Sequence, residues 1–202
     1  MEVTKILKII ILSAVIAAGI SACASTCEDL LKKPVVLIQE PLVHPSKPIP
    51  IIQRRRYDLC VLHHEGIEIV QLGQTWKLVL PSDDVFVNET AELQDAAKPV
   101  LDVVADFLQT YSKISIQVAA FSNKSVVEEK TKFGSVIDQL TEEQAAEVTK
   151  YLTSRNTNAR LIYAVGRGNR EEIAWPGSEI GRKLNRRVEI YFRYYHENKA
   201  WY

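Results

Sequence analysis

The residues whose types could support chemistry are few and scattered. Cys60 stands three residues before His63 and beside His64, which puts a nucleophile near two bases, but no orienting acid follows at a recognisable spacing. The plainer reading is a strand cysteine followed by turn histidines. Asp83-Asp84 offers two carboxylates of the kind used in general acid and base work, yet adjacent residues on a strand point to opposite faces, so the pair reads as a turn. Gly166-Arg-Gly168 follows a strand-like run as a dinucleotide loop would, but Glu171 stands where the third glycine belongs and no strand-helix-strand unit follows. The sequence has no Gly-x-Ser-x-Gly elbow, no His-Glu-x-x-His pair and no phosphate-binding Gly-Lys-Ser/Thr loop. Three cysteines without a Cys-x-x-Cys pair build neither a zinc site nor a two-bridge scaffold. These observations imply no enzyme, no metal and no cofactor. With 25 Lys+Arg against 25 Asp+Glu in 202 residues there is also no global field to hold a polyanion, and nucleic acid is not an expected partner.

One cysteine has a different chemistry. Lys5 and Lys8 precede an apolar run from Ile9 to Ala22, too short to span a bilayer and of the right form for a secretory signal. The run ends Ile20-Ser21-Ala22-Cys23, which resembles the bacterial lipobox: an aliphatic residue, two small ones, then the cysteine that is diacylated and becomes the mature first residue. Ala22-Cys23-Ala24 is also an A-x-A-like site whose cleavage would release an unlipidated protein. The lipobox reading makes residues 1–22 a lipoprotein signal and Cys23 the lipid attachment point. Ala24 is not the aspartate that retains such proteins in the inner membrane, so the expected place is the outer membrane, facing the periplasm. Each buried methylene is worth about 0.8 kcal/mol, so two or more acyl chains suffice as an anchor.

The elements that follow divide the chain. Five of the eight prolines fall between Pro34 and Pro50, so residues 23–56 read as an extended, proline-rich tether closed by Arg54-Arg55-Arg56. That basic run is either a solvated stretch or a contact to anionic lipid, cell wall or an acidic partner. Cys27 in the tether and Cys60 beyond it could pair in an oxidising periplasm; the sequence leaves this open. Over residues 57–80, Tyr57–Leu62 alternates in the strand manner, and Ile67–Leu72 with Thr75–Leu80 reads as a hairpin turned at Gly73-Gln74, with Trp76, Leu78 and Leu80 on one face. Val85-Phe86-Val87 resumes a strand. Ala91–Tyr111 has helical spacing whose regular part begins near Lys98, because Pro99 removes a backbone donor. Ile114–Ala120 is a strand, and Lys124–Gln139 a polar loop. Thr141-Glu-Glu-Gln144 fits a capping box opening a helix to about Ser154. Arg160–Val165 is a strand, Gly177–Leu184 a short helical turn and Arg187–Arg193 a closing strand. The expected fold is α+β, a β-α-β-α-β-(α)-β order from residue 85 forming a single mixed sheet with helices packed on it.

On these motifs the stretch 81–195 resembles the OmpA-like domain, the peptidoglycan-associating module of outer-membrane lipoproteins and envelope machines. Asp84–Leu93 resembles its opening strand and helix start, and Ile114–Asn123 the strand that usually ends Gly-His-Thr-Asp. Leu140-Thr-Glu-Glu-Gln-Ala145 resembles the Leu-Ser-x-x-Arg-Ala helix start, and Val165-Gly-Arg-Gly168 the Gly-x-Gly turn. Asn185-Arg-Arg-Val-Glu-Ile190 matches the closing motif in every residue. The resemblance implies a wall-binding groove at Asn123, Gln144, Asn185 and Arg187, but in a degraded form. Family members use an aspartate at position 123 for the ammonium of diaminopimelate and an arginine at 144 for a carboxylate. Losing two charge-assisted contacts of about 1.5 to 3 kcal/mol each implies weak peptidoglycan binding. Asn123 also reads simply as a turn former and Gln144 as the capping-box residue.

The glutamine at 144, the segment Gly73–Ser82 and the lipid-anchored architecture resemble one branch, the IcmN/DotK lipoproteins of the Dot/Icm type IVB secretion apparatus. That implies a structural component whose partners are other secretion-system subunits and the outer membrane; a peptidoglycan tether between membrane and wall is the alternative. The tail 196–202, with its neighbours Tyr194 and Tyr195, is aromatic, and it either docks on a partner or folds back over a sheet edge.

Overall fold

The computed structural model describes residues 50–123, 130–131 and 134–195. The expectations for the signal, most of the tether, Cys23, Cys27, much of the loop after Asn123 and the tail 196–202 lie outside these residues.

The first element is a helix, α1 (Ile51–His64), and not the strand that the alternation of Tyr57–Leu62 suggests. The flanks decide this. Pro50 stands just before the first turn, and its carbonyl accepts from the amides of Gln53 and Arg54. At the other end Gly66, with φ +78°, forms a Schellman cap: Ile67 N–H bonds Leu62 O at 3.0 Å and Gly66 N–H bonds His63 O at 3.1 Å.

The sheet has five strands in the order β1-β2-β7-β3-β6: β1 (Glu68–Leu72), β2 (Thr75–Pro81), β3 (Lys113–Phe121), β6 (Ile162–Gly166) and β7 (Arg187–Tyr194). Only β3 and β6 run parallel, and the connection between them carries a helix, as a parallel pair requires. The hairpin forms as its alternation and Gly73 demand, but it is no appendage to the domain. β2 pairs with β7 along its whole length and supplies the strand expected at Val85–Val87. Asp83 and Asp84, expected in a turn, lie in a one-turn helix, α2 (Ser82–Val85), and Phe86 makes only an isolated bridge to Leu93.

One face of the sheet is apolar. Leu78, Leu80, Ile116, Val118, Val188, Ile190 and Phe192 are buried there under α3 (Lys98–Gln109) and α4 (Val136–Ser154). Helix α3 begins at Lys98 after a 3₁₀ turn over Asp95–Ala97, with Pro99 in its first turn, where a missing N–H costs nothing. Phe107 and Tyr111 pack edge-on and tilted against Trp76 and Phe192, with ring centroids 5.3 to 6.2 Å apart.

Helix α4 starts five residues before the expected capping box. Ser135 is its N-cap, accepting from Asp138 N–H at 3.1 Å, and a two-stranded ribbon, β4 (Lys130–Thr131) with β5 (Gly134–Ser135), leads into it. Residues 134–139, expected in the loop, thus belong to β5 and α4. Thr141 is fully buried within the helix. Its hydroxyl donates to the Ile137 and Asp138 carbonyls and accepts from Gly168 N–H at 3.0 Å. A short helix, α5 (Glu179–Asn185), precedes β7, capped by Ser178.

Candidate functional site

The carboxyl end of β3, an early turn of α4 and the start of β7 meet at one corner of the sheet. The four residues expected to form a groove lie there. Phe121 still pairs with Arg187, so β3 runs straight into Ser122 and Asn123, both buried. Asn123 Nδ2 has no hydrogen-bond partner among the described residues. Gln144, one turn past Thr141, is 4% exposed; its Nε2 donates to Thr90 O at 2.8 Å, and its Oε1 is buried without a partner. The expected capping role is replaced by a strut between α4 and the segment before α3.

Asn185 and Arg187, also buried, face inward and are fully engaged. Asn185 Oδ1 accepts from Ile173 and Ala174 N–H at 2.9 Å each, and its Nδ2 returns a bond to Ala174 O, so it clamps the loop before α5. The Arg187 guanidinium lies 3.8 Å from the Phe121 ring centroid. It donates to Glu189 Oε1 at 2.7 Å, to Asn185 O and to Glu171 O. Glu189, 2% exposed, also faces Lys77 Nζ at 3.6 Å and accepts from the Tyr191 hydroxyl. Burial alone would raise the Glu189 carboxyl, but the bonds from Tyr191 and Arg187 outweigh it and hold the group below its ordinary range. Burial first, and then the bond to Glu189, push the Tyr191 phenol well above its usual value.

Arg186 and Asp83, the latter read from sequence only as part of a turn, complete the corner. Arg186 grips Asp83 with two parallel bonds of 2.8 and 2.7 Å, and this fork holds the Asp83 carboxyl below the usual carboxylate range. The signal was present in Asn185-Arg-Arg187, but Asp83 is 103 residues away and only the β2–β7 pairing brings it near. The cleft that Asp83, Arg186, Ser122 and Gln144 line has a volume of about 10 Å³. That is room for roughly one water.

The Cys60-His63-His64 reading has no support. Cys60 is disulfide-bonded, to a partner outside the described residues, and cannot serve as a nucleophile. Among the described residues there is no cluster of metal ligands and no helix long and apolar enough to cross a membrane.

With this geometry in hand, the OmpA family matches residues 85–186. The probable lipoprotein YiaD of Escherichia coli (strain K12) is 26% identical over 125 residues, 62% of this chain and 54% of that protein. Outer membrane protein A of Bordetella avium is 31% identical over 114 residues, 56% of each. The chain spans about half the length of these curated relatives. Among solved structures, the periplasmic domain of Helicobacter pylori MotB superposes with a TM-score of 0.57 at 27% identity, covering 66% of this chain and 83% of that one. The cell wall anchor of the T6SS from Pseudomonas aeruginosa superposes at 0.61 and 24% identity, covering 69% and 96%, a likeness of fold alone.

Proposed function

The chain belongs to the OmpA family, and from that premise we propose that it is a non-catalytic lipoprotein of the outer membrane whose domain docks into an envelope assembly. The observation that carries this reading is the corner described above. Both charged groups that would grip a wall peptide are replaced by amides, and the Gln144 donor is spent on Thr90. Anchoring at Cys23 by acyl chains is supported by Ile20-Ser-Ala-Cys23 and by relatives named as a lipoprotein and an outer membrane protein. Residues 23–56 would then be the tether and 196–202 a docking tail. The finer reading, a structural subunit of the type IVB (Dot/Icm) apparatus in the IcmN/DotK branch, rests on Gln144 and the segment Gly73–Ser82.

Acylation of Cys23 would leave Cys27 as the partner of Cys60, since a thioether-linked sulfur is no longer free to oxidise. Pelleting the full-length protein, in detergent, with purified sacculi tests the central claim. A docking subunit stays in the supernatant; quantitative co-sedimentation refutes it. The second reading, a wall tether, draws on the buried Asn123 Nδ2 and Gln144 Oε1, which have no partner and could serve a neutral ligand.

A further inference from the structure

The stretch 173–184 leaves more apolar surface in water than its packing explains. Ile173, Trp175, Ile180 and Leu184 are 55%, 74%, 76% and 53% exposed, and they are four of the eleven large apolar residues exposed among the described ones. They gather into a patch where single surface residues would scatter. Ile180 and Leu184 stand one turn apart on α5, and with Ile173, Val79 and Pro81 they line one cleft of about 230 Å³.

The patch is fastened from below. Asn185 clamps Ile173 and Ala174 with three hydrogen bonds. The Trp175 carbonyl accepts from the Ser178 amide at 3.4 Å, and the Arg182 guanidinium donates to the carbonyls of Pro176 at 3.2 Å and Gly177 at 3.4 Å. Two glycines seat the tryptophan: a Cβ at Gly177 would strike the indole ring, and one at Gly181 would strike the Trp175 carbonyl oxygen. An indole held this firmly and still left in water is ordered in advance of a contact, which removes much of the entropy cost of making one.

We propose that this patch rests on the phospholipid bilayer that anchors the chain, with Trp175 at headgroup level, Ile180 and Leu184 among the acyl chains and one of those chains in the cleft. Shape favours lipid. The patch both protrudes, at Trp175 and Ile180, and is hollow beside them; a fluid apolar phase conforms to both, whereas a folded partner must match both. Reach favours it too. Residues 23–49 separate Cys23 from the first described residue, and a chain of that length averages roughly 30 Å end to end and extends to no more than about 80 Å. Tethering of this kind holds the bilayer at an effective concentration of about 1 mM, so a weak apolar contact suffices. The exposed charges around the patch are mixed, Glu172 and Glu179 with Lys183, so the contact is apolar and selects no headgroup charge. The proposal rests on the acyl anchor at Cys23 proposed above.

The test reconstitutes the lipoprotein, purified from native membranes, into vesicles of phosphatidylethanolamine and phosphatidylglycerol with brominated acyl chains, which quench tryptophan only at close range. The chain has three tryptophans, so the Trp175 signal is the difference between the parent and Trp175→Phe. Bromine should quench that component, and added salt should not relieve it. Ile180→Asp, at an exposed position, should reduce the quenching about fivefold without changing the melting temperature. Equal quenching in the parent and Trp175→Phe, or quenching indifferent to Ile180→Asp, overturns the proposal. A Trp175 shielded from aqueous acrylamide yet untouched by bromine would be covered by protein, from this chain, a second copy or a partner, and overturns it too. Flotation of the vesicles separates this proposal from its premise. A protein that floats with Trp175 unquenched removes the patch and leaves the anchor standing, while one that does not float removes both.

Discussion

Gln144 donates its side-chain amide to the carbonyl of Thr90, 2.8 Å away and 54 residues earlier in the chain. A side chain expected in the proposed wall-peptide groove is here an internal brace. Gln144→Ala should therefore cost about 1 kcal/mol, as a lost buried hydrogen bond does, seen as a fall of a few degrees in melting temperature. Sacculus pelleting should be unchanged. A parent that pellets where the equally stable Gln144→Ala protein does not would return the residue to a binding role.

Arg187 and Glu189 form a pair in which both side chains are 3% exposed. Removing one partner strands a buried charge. Arg187→Ala should destabilise by about 3 to 5 kcal/mol, whereas Arg187→Met with Glu189→Met together should cost much less. A double-variant loss equal to the sum of the two single losses, measured by urea unfolding, would show that the two residues act separately.

Two carboxylates set the acid limb of stability. The bond from Arg186 lowers Asp83 below its ordinary 3.8, and the bonds from Tyr191 and Arg187 carry Glu189 below its ordinary 4.5 despite burial. A depressed folded pKa adds stability that is present above the unfolded value and lost as pH falls through the folded one. The melting temperature should hold from neutral pH to about 5 and drop steeply below about 4. Asp83→Asn should flatten part of that drop, reduced by solvent screening because the pair is partly exposed. A profile identical to that of the parent would remove Asp83 from this account.

Gly166 sits where α4 crosses the end of β6. A Cβ there would lie 2.6 Å from Glu142 N and 2.9 Å from its Cα, both backbone atoms. Gly166→Ala must push the helix off the strand, at about 1 to 3 kcal/mol. Circular dichroism melts would reveal it, and a neutral result would mean that α4 is free to shift.

Cys60 should resist maleimide until reductant is added, and Cys27→Ala should make it react at once. A Cys27→Ala protein still blocked at Cys60 would assign the bridge to Cys23 and remove the acylated N-terminus.

Much of the sheet was legible from sequence because its signals are local. Gly73-Gln74 turns the hairpin, Pro99 places the start of α3, and the alternation of Arg187–Arg193 survives as β7. The misread elements were settled by neighbours. Six alternating residues, Tyr57–Leu62, were outvoted by Pro50 and Gly66 at the ends of a helix. Thr141 imitates a cap, but its hydroxyl serves Gly168, 27 residues later, and the true cap is Ser135. At the corner the identities of Asn185 and Arg187 were evident while their duties were not. Whether an arginine points at a ligand or at Glu189 and Phe121 depends on which strands flank it.

β7 is last in sequence and third in the sheet, between β2 and β3. Without residues 187–194 the β1–β2 hairpin and the β3–β6 pair have no strand between them, so only the closing strand joins them into one sheet.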